Sequence, residues 1–326
     1  MASAKWSAEA LGTALDPLVG GRVRATGPLD MVGGLQPAVV IEPATEEEVS
    51  AALAFADREG LKVLTRGGGT QSELGHAPSG GDILLSTYRL EHVLEHNPAD
   101  LTATVEAGMS LADFQGGLKR SGQWLALDPA LPLEATIGGI VATGASGPRR
   151  LRYGGVRDQI IGVRVVRPDG AIAKGGGKVV KNVAGFDLPK LYTGSLGTLG
   201  AIVTATFRIY PQAAASRTVL LRSTEHGPLC DLGVRIIGTT LVASAITLSG
   251  GTAGDEQTLA VQFEALEAAA QDQADHLLGL AGGLAAGGRI LTGDDEAAHW
   301  RAVAAGPRPV TRSRRSWQPA RRRPEP

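Results

Sequence analysis

Residues 64–75 read LTRGGGTQSELG, and the rest of the chain is best read outward from them. The stretch "LKVLT" (61–65) has the composition of a short strand, and it runs straight into Gly67-Gly68-Gly69. A flexible surface linker is one reading of three successive glycines. A backbone stripped of side chains so that it can approach an anion is the other, because consecutive glycine N–H groups can form an anion-binding nest. The loop is not a Walker A motif, which needs a lysine after its last glycine; Lys62 lies upstream. It is not the Rossmann fingerprint either, because G-x-G-x-x-G fails at Ser72 and the acidic partner is missing.

Upstream, "PAVVIEPATEEEV" (37–49) predicts a strand, a turn and a helix start. Thr45 and Glu48 have capping-box spacing. Val49, Leu53 and Ala56 keep helical periodicity, and Gly60 stands where a helix C′ residue belongs. The unit is β-α-β, with the glycines just past the second strand, where ligands bind in α/β folds. Downstream, "DILLST" (82–87) and "LTATVEAG" (101–108) predict strands, Ser110 and Asp113 a capped helix through Lys119, and "QWLALDP" (123–129) a strand entering a turn. Residues 159–174 predict a hairpin about a Pro-Asp-Gly turn. "AIVTATFRIYP" (201–211) predicts a strand with Val203, Ala205, Phe207 and Ile209 on one face. From about 213 the glycine density falls. "TVLLR", "LVASAITL" and "TLAVQF" predict strands, and residues 264–280 predict an amphipathic helix.

The chain has 326 residues, 43% of them hydrophobic and 20% charged, ordinary values for a folded protein. Its 45 glycines are about twice the usual share of roughly 7%, without a collagen period. Aromatics at 4% argue against a base-stacking nucleic-acid platform. The one cysteine, Cys230, excludes an internal disulfide and a cysteine metal cluster, fits a reduced intracellular location, and reads as a small buried hydrophobe. The N-terminus lacks a secretory apolar run, and no apolar stretch approaches membrane-spanning length. Residues 301–326 hold eight arginines and one glutamate, about +7, whereas the whole chain carries -1. Dense in Pro and Arg, this tail reads as disordered, with anionic-surface binding or an altered gene end as alternatives.

Two further glycine-rich stretches resemble the first: "PLEATIGGIVATGASGPRRLRYGGVRDQIIG" (132–162) and "GGKVVKNVAGFDLPKLYTGSLGTLGAIVTATFRIYP" (176–211). Gly194, Gly197 and Gly200 recur every third residue in the latter. The GGGT turn, the T-I-G-G segment followed by Y-G-x-x-R-D, and KNVAGFDLPKL with GSLGTLGAI together resemble the flavin-binding fold of vanillyl-alcohol oxidase and its relatives, the PCMH-type FAD-binding fold. Within that family the likeness is greatest to the small FAD-binding subunit of bacterial glycolate oxidase. It covers residues 35–212 firmly and 213–300 loosely.

The resemblance implies an α+β, two-subdomain FAD-binding fold with a small α+β C-terminal cap domain. The expected division is an N-terminal segment (1–34), the FAD-binding domain (35–212, its subdomains split near 90–100), the cap (213–300) and the basic tail (301–326). Carried over by position, Arg66, Gly67, Gly68, Gly69, Thr70 and Gln71 form the pyrophosphate loop. Thr136, Ile137, Gly138, Gly139, Thr143, Ser146 and Gly147 line the flavin and ribityl region, and Ile202 contacts FAD through its backbone. Flavin-linking relatives carry a histidine where Thr70 stands, so the expected FAD is non-covalent. The implied activity is FAD-dependent oxidation of a 2-hydroxy acid within a glycolate oxidase complex. Its partners would be a catalytic flavin subunit and an iron–sulfur subunit, and its location cytoplasmic or peripheral at the inner membrane. A self-sufficient 2-hydroxy acid or alditol dehydrogenase and a flavin-free structural subunit are the rival readings. No catalytic residue is assigned, and no metal is expected. None of the six histidines sits in the His-Gly-Asp-Gly-Asn-type setting of the catalytic subunit, and Leu196 stands where that subunit usually has Glu.

Other side chains have structural readings. His92 and His96 share helical spacing but lack a third ligand and read as surface histidines. His76 reads as a solvated loop residue or as one facing the flavin. Lys178 and Lys181 read as solvated, with a substrate carboxylate or the reduced flavin as the alternative target. Arg157 and Asp158 are expected as an ion pair beside the cofactor. Asn182 lies in the same run as Asp187, which is expected as the N-cap of the LPKL turn.

Overall fold

The computed structural model describes residues 6–177, 185–250 and 255–305. Among the described residues, three sheets of four or five strands carry the chain. In the first, β1 (Val23–Ala25), β2 (Val39–Ile41), β3 (Val63–Arg66) and β4 (Ile83–Ser86) lie in the order β1-β2-β4-β3. β2, β4 and β3 run parallel, and β1 is antiparallel to β2. The predicted β-α-β unit is therefore split: β4 inserts between its two strands, leaving β3 and the glycines after it on the sheet edge. Residues of the segment before 35 belong to this layer through α1 (Ala8–Leu15) and β1. Leu11 and Leu15 share a core with Val39, Val49, Leu53 and Ile83.

α2 (Glu46–Glu59) closes that layer as its sequence requires. Thr45 Oγ1 accepts from Glu48 N at 3.2 Å, and Gly60 ends the helix at φ 66°. Only glycine adopts that left-handed conformation without strain.

The second sheet is antiparallel in the order β5 (Val93–Asn97), β6 (Thr102–Glu106), β10 (Ala201–Arg208), β8 (Ile160–Val166) and β9 (Ile172–Gly176). α3 (Leu111–Lys119), β7 (Gln123–Trp124), α4 (Ile137–Thr143), α5 (Arg150–Tyr153), α6 (Val156–Gln159) and α7 (Leu188–Tyr192) surround it, and β11 (Tyr210–Pro211) pairs with β7. The predicted single face of β10 is corrected here. The ladder with β8 shifts register between Ile202 and Thr204, and such a bulge reverses the alternation of side chains. Val203 consequently packs in the first core, while Ala205, Phe207 and Ile209 pack in the second. One strand thus nails two cores together.

The third sheet, β13 (Ala245–Ser249), β14 (Gln257–Ala265), β12 (Ala215–Ser223) and β15 (Arg289–Leu291), is antiparallel throughout. α8 (His226–Ile237) and α9 (Glu267–Ala281) bury one face with Val219, Leu221, Val261 and Phe263. α10 (Gly293–Ala305) covers part of the other, where Glu296 Oε1 accepts from Ser216 Oγ at 2.6 Å and Thr218 Oγ1 at 2.7 Å. Two expectations shift. The helix predicted from 264 starts only at Glu267, because β14 pairs with β12 through Ala265. Of "LVASAITL" only Ala245–Leu248 is strand. Cys230 is exposed rather than buried, since it lies on the outer side of α8 beside buried Leu229. The Arg-rich tail beyond 305, Lys178, Lys181 and Asn182 lie outside the described residues.

Candidate functional site: a glycine-walled cleft between two subdomains

A cavity of about 570 Å³ opens where the first two sheets meet, within the usual range of a small-molecule site. One wall is the end of β3 and the loop after it, residues 63–72. The opposite wall is α4 with the residues just before it, and the turn 196–202 closes one end.

Packing, not openness, explains the first two glycines. A Cβ on Gly67 would overlap Thr136 Oγ1, and one on Gly68 would overlap the Glu134 carbonyl oxygen. The loop is pressed against the segment that enters α4, so the first subdomain touches the second through bare backbone. Thr136, itself buried, sits at the seam. Its Oγ1 accepts from Gly68 N and from Gly139 N, both at 3.4 Å, joining the loop to the helix cap. Gly69 is the glycine that needs its conformation: φ is 70°, and the turn it makes closes with Ser72 N on Gly69 O at 3.3 Å.

Backbone donors divide the two walls. The first-turn amides of α4 are already spent: Ile137 N donates to Met109 O at 2.9 Å, Gly138 N to Ala107 O at 2.7 Å, and Gly139 N to Thr136. The amides of Gly69, Thr70 and Gln71 have no acceptor among the described residues. Consecutive main-chain donors open to the cleft in this way can bind an anion. Among the described residues the cavity lining holds no Asp, Glu or Lys; Arg66 and His76 are its charged or titratable members there.

Arg66 is nevertheless turned away from the opening. Its Nη2 donates to Asp30 Oδ1 at 2.6 Å and its Nη1 to Leu29 O at 2.7 Å. Asp30 is buried and also receives both Nη groups of Arg24, at 2.7 and 3.0 Å, and Gly27 N at 2.8 Å. Arg24 above all, then Gly27 N–H and Arg66, hold the Asp30 carboxyl far below the usual carboxylate range despite its burial.

The far wall is built by capping. Gly194 N donates to Val141 O at 3.0 Å and Leu196 N to Ala142 O at 2.7 Å, so the turn 194–196 satisfies the last carbonyls of α4. Gly197, at φ 74°, lies so close to β3 that a Cβ would approach Thr65 Oγ1. Leu196 takes a left-handed φ of 54° without being glycine. Thr143 Oγ1 donates back to Gly139 O at 2.8 Å.

Of the residues expected at the cofactor, Arg66, Gly67, Gly68, Gly69, Thr70, Gln71, Thr136, Gly138, Gly139, Thr143 and Ile202 all line this one cavity. Ile137, Ser146 and Gly147 do not. Ile137 points into the second core. Gly147 N donates to Asp128 Oδ1 and Arg149 N to Asp128 Oδ2, both at 3.0 Å, pinning that turn behind the wall residues Pro129 and Ala130. Burial pushes the Asp128 carboxyl up from its ordinary value. Thr65, Pro129, Leu196 and Thr198 line the cavity without having been singled out for it; the three-residue glycine spacing at 194–200 was the signal pointing to the last two. Exposed His76 is at the rim.

Other readings resolve simply. Asp158 does not form the expected pair with Arg157; its Oδ2 accepts from Gly155 N at 2.8 Å as the cap of α6. Asp187 caps α7, accepting from Lys190 N at 3.3 Å. His92 and His96 flank and occupy strand β5, where His92 Nδ1 meets Glu106 Oε2 and His96 Nε2 meets Gln123 Oε1, each at 2.8 Å. No group of three metal-ligating side chains occurs among the described residues, and no helix among them is long and apolar enough to cross a membrane.

The fit to a dinucleotide is chemical: open amides and, among the described residues, no carboxylate for the diphosphate, with glycine backbone and apolar side chains for a flat ring. Comparison with known proteins agrees. The family model described as an FAD binding domain matches residues 37–176. Glycolate oxidase subunit GlcD of Bacillus subtilis is 35% identical over 184 residues, 56% of this chain and 39% of that protein. D-lactate dehydrogenase of Archaeoglobus fulgidus is 38% identical over 192 residues, 59% and 43% of the two chains. Glycolate oxidase subunit GlcE of Escherichia coli is 34% identical over 164 residues, 50% and 46%. The matched region thus spans less than half the length of these relatives. Among solved structures, alkyldihydroxyacetonephosphate synthase superposes with a TM-score of 0.69 over 83% of this chain and 55% of its own, at 18% identity, which speaks to the fold. With its motifs, its cleft and this match in agreement, the segment 37–176 is an FAD-binding domain within an α+β chain.

Proposed function

We propose that this chain is the FAD-binding subunit of a complex that oxidises glycolate or a related 2-hydroxy acid. The observation that carries the reading is the cleft whose loop, among the described residues, has unspent amides at Gly69, Thr70 and Gln71 and whose described lining holds no carboxylate. Its support beyond geometry is the set of similar proteins, named as glycolate oxidase subunits, a D-lactate dehydrogenase and a D-2-hydroxyglutarate dehydrogenase.

FAD bound there would supply the redox chemistry, and the protein the placement and electrostatics. The residues that would hold it are the amides of 69–71 at the diphosphate, with Gly138, Gly139, Thr143 and Ile202 along the opposite wall. The chain's own contribution is to hold these walls apart at a fixed width through Thr136 and the turn 194–197. Binding would be non-covalent, since Thr70 stands in the loop and His76 lies exposed on the rim. Onward electron transfer would fall to a catalytic flavin subunit and an iron–sulfur subunit, in the cytoplasm or against the inner membrane.

A stand-alone 2-hydroxy acid dehydrogenase is the second reading, favoured by similarity to a D-lactate dehydrogenase over the same region. Purification alone and with the products of neighbouring genes separates the two. The subunit reading expects a yellow protein that releases its flavin into acid supernatant and reduces a dye with glycolate only when its partners are present. Dye reduction by the chain alone favours the dehydrogenase. A colourless chain that takes up no FAD overturns both.

A further inference from the structure

We infer that Asp30 and Arg66 form a strut that positions the diphosphate-binding amides, Arg66 acting through its shape rather than by offering charge to the ligand. The inference rests on the FAD reading above.

An arginine at the start of a phosphate loop would ordinarily be taken as the phosphate's counter-charge. Here the geometry denies it that role. Both Nη groups are committed behind the loop, to Asp30 Oδ1 at 2.6 Å and to Leu29 O at 2.7 Å. What Arg66 turns toward the loop is its stem: a Cβ on Gly69 would lie 3.5 Å from Arg66 Cδ, ordinary contact. The methylenes floor the turn at Gly69, and the guanidinium is the bolt that keeps them there. Planar, forked donors suit such a bolt, because two directions are fixed at once.

The bolt is itself anchored. Asp30 collects four protein donor contacts: two from Arg24, one from Arg66 and one from Gly27 N. Arg24 in turn reaches Glu42 Oε1 at 3.0 Å, next to the end of β2. The cofactor loop is thereby tied to the first sheet by side chains from a segment distant in sequence. With the Arg66 guanidinium hydrogen-bonded to Asp30 and Leu29 O, an approaching diphosphate meets oriented amide dipoles in fixed positions, and their placement decides affinity.

The test compares Asp30→Asn and Arg66→Lys with wild type in the full-length chain. Flavin is removed, and FAD and ADP are each titrated back; the visible spectrum of bound flavin is recorded at saturation. Asp30→Asn leaves the guanidinium without its anion, and Arg66→Lys keeps the charge but loses the fork. The expected result is that FAD and ADP weaken together by at least about tenfold in both variants. The spectrum at saturation should overlay that of wild type, which a general loosening of the fold would not allow. Weaker FAD with unchanged ADP, unchanged affinity for both, or a tighter grip in Asp30→Asn from a released guanidinium overturns the strut. If Asp30→Asn does not fold, Arg66→Lys gives the same decision. Wild type that binds ADP but not FAD, or neither, fails the flavin reading itself and takes the strut with it.

Discussion

At the scale of single residues, the glycine loop carries two different demands in three positions. Gly67 and Gly68 exist for packing across the subdomain seam, Gly69 for its dihedral angle. Gly68→Ala forces its Cβ into the Glu134 carbonyl, so the loop must shift; overpacking of this kind costs about 1–3 kcal/mol, and urea unfolding should show it together with loss of flavin retention. Thr136→Val keeps the shape but removes the acceptor for Gly68 N and Gly139 N. It should cost about 1–2 kcal/mol by the same assay, as a lost N-cap does. Asp30 makes a pH prediction. Its carboxyl titrates below its unfolded value, so the stability it contributes is fully present above the ordinary carboxylate pKa of about 3.9 and is lost as pH falls from there through the depressed folded-state pKa. Unfolding free energies followed from about pH 5 downward should fall less steeply in Asp30→Asn than in wild type. That the loop mattered was legible in the sequence, since three glycines after an apolar run are uncommon. That two of them answer to Thr136 and Glu134, almost seventy residues on, was not: a contact across subdomains leaves no local pattern.

Elements show the same division between local and distant causes. The capped helices α2, α3 and α7 start where Thr45, Ser110 and Asp187 stand, because capping chemistry is written within four residues. β10 was found as a strand for the same reason, yet its orientation was misread at Val203. A bulge adds a residue on one strand only, and the alternation that would reveal it is masked because β10 is buried on both faces. β1 escaped notice because three residues paired only to β2 carry too little periodicity to register. The two-core role of β10 has a measurable consequence. Phe207 is fully buried in the second core, and Phe207→Ala should cost about 3–5 kcal/mol by denaturant titration. Val203→Ala, which opens a smaller space in the first core, should cost less, on the order of 1–3 kcal/mol.

For the whole molecule, the question is what keeps the cap on the FAD-binding domain, and one carboxylate answers most of it. Glu264, on β14, accepts from Arg149 Nη2 at 3.0 Å and from Tyr153 OH at 3.1 Å, while its backbone carbonyl accepts from Arg152 Nη1 at 2.5 Å. Around it Arg149 lies 4.9 Å from the Trp124 ring centre, and Tyr153 meets Trp124 and Tyr210 edge to face. Burial, then the neighbouring Glu264 charge, pushes the Tyr153 hydroxyl up to about 12, so it remains a donor through the neutral range. Glu264→Ala would strand a half-buried guanidinium and a half-buried hydroxyl; breaking one side of a pair so placed costs up to roughly 3 kcal/mol. That loss falls on the docking of the cap rather than on either core, because the cap sheet has its own apolar face under α8 and α9. The expected outcome is a melt that splits into two transitions in calorimetry, with the exposed link at 212–214 cut faster by a protease. Glu264→Gln keeps an acceptor for both donors and should fall between. A single, unshifted transition in Glu264→Ala would mean that the remaining contacts, such as Leu131 N on Ala304 O at 3.1 Å, hold the cap without this carboxylate.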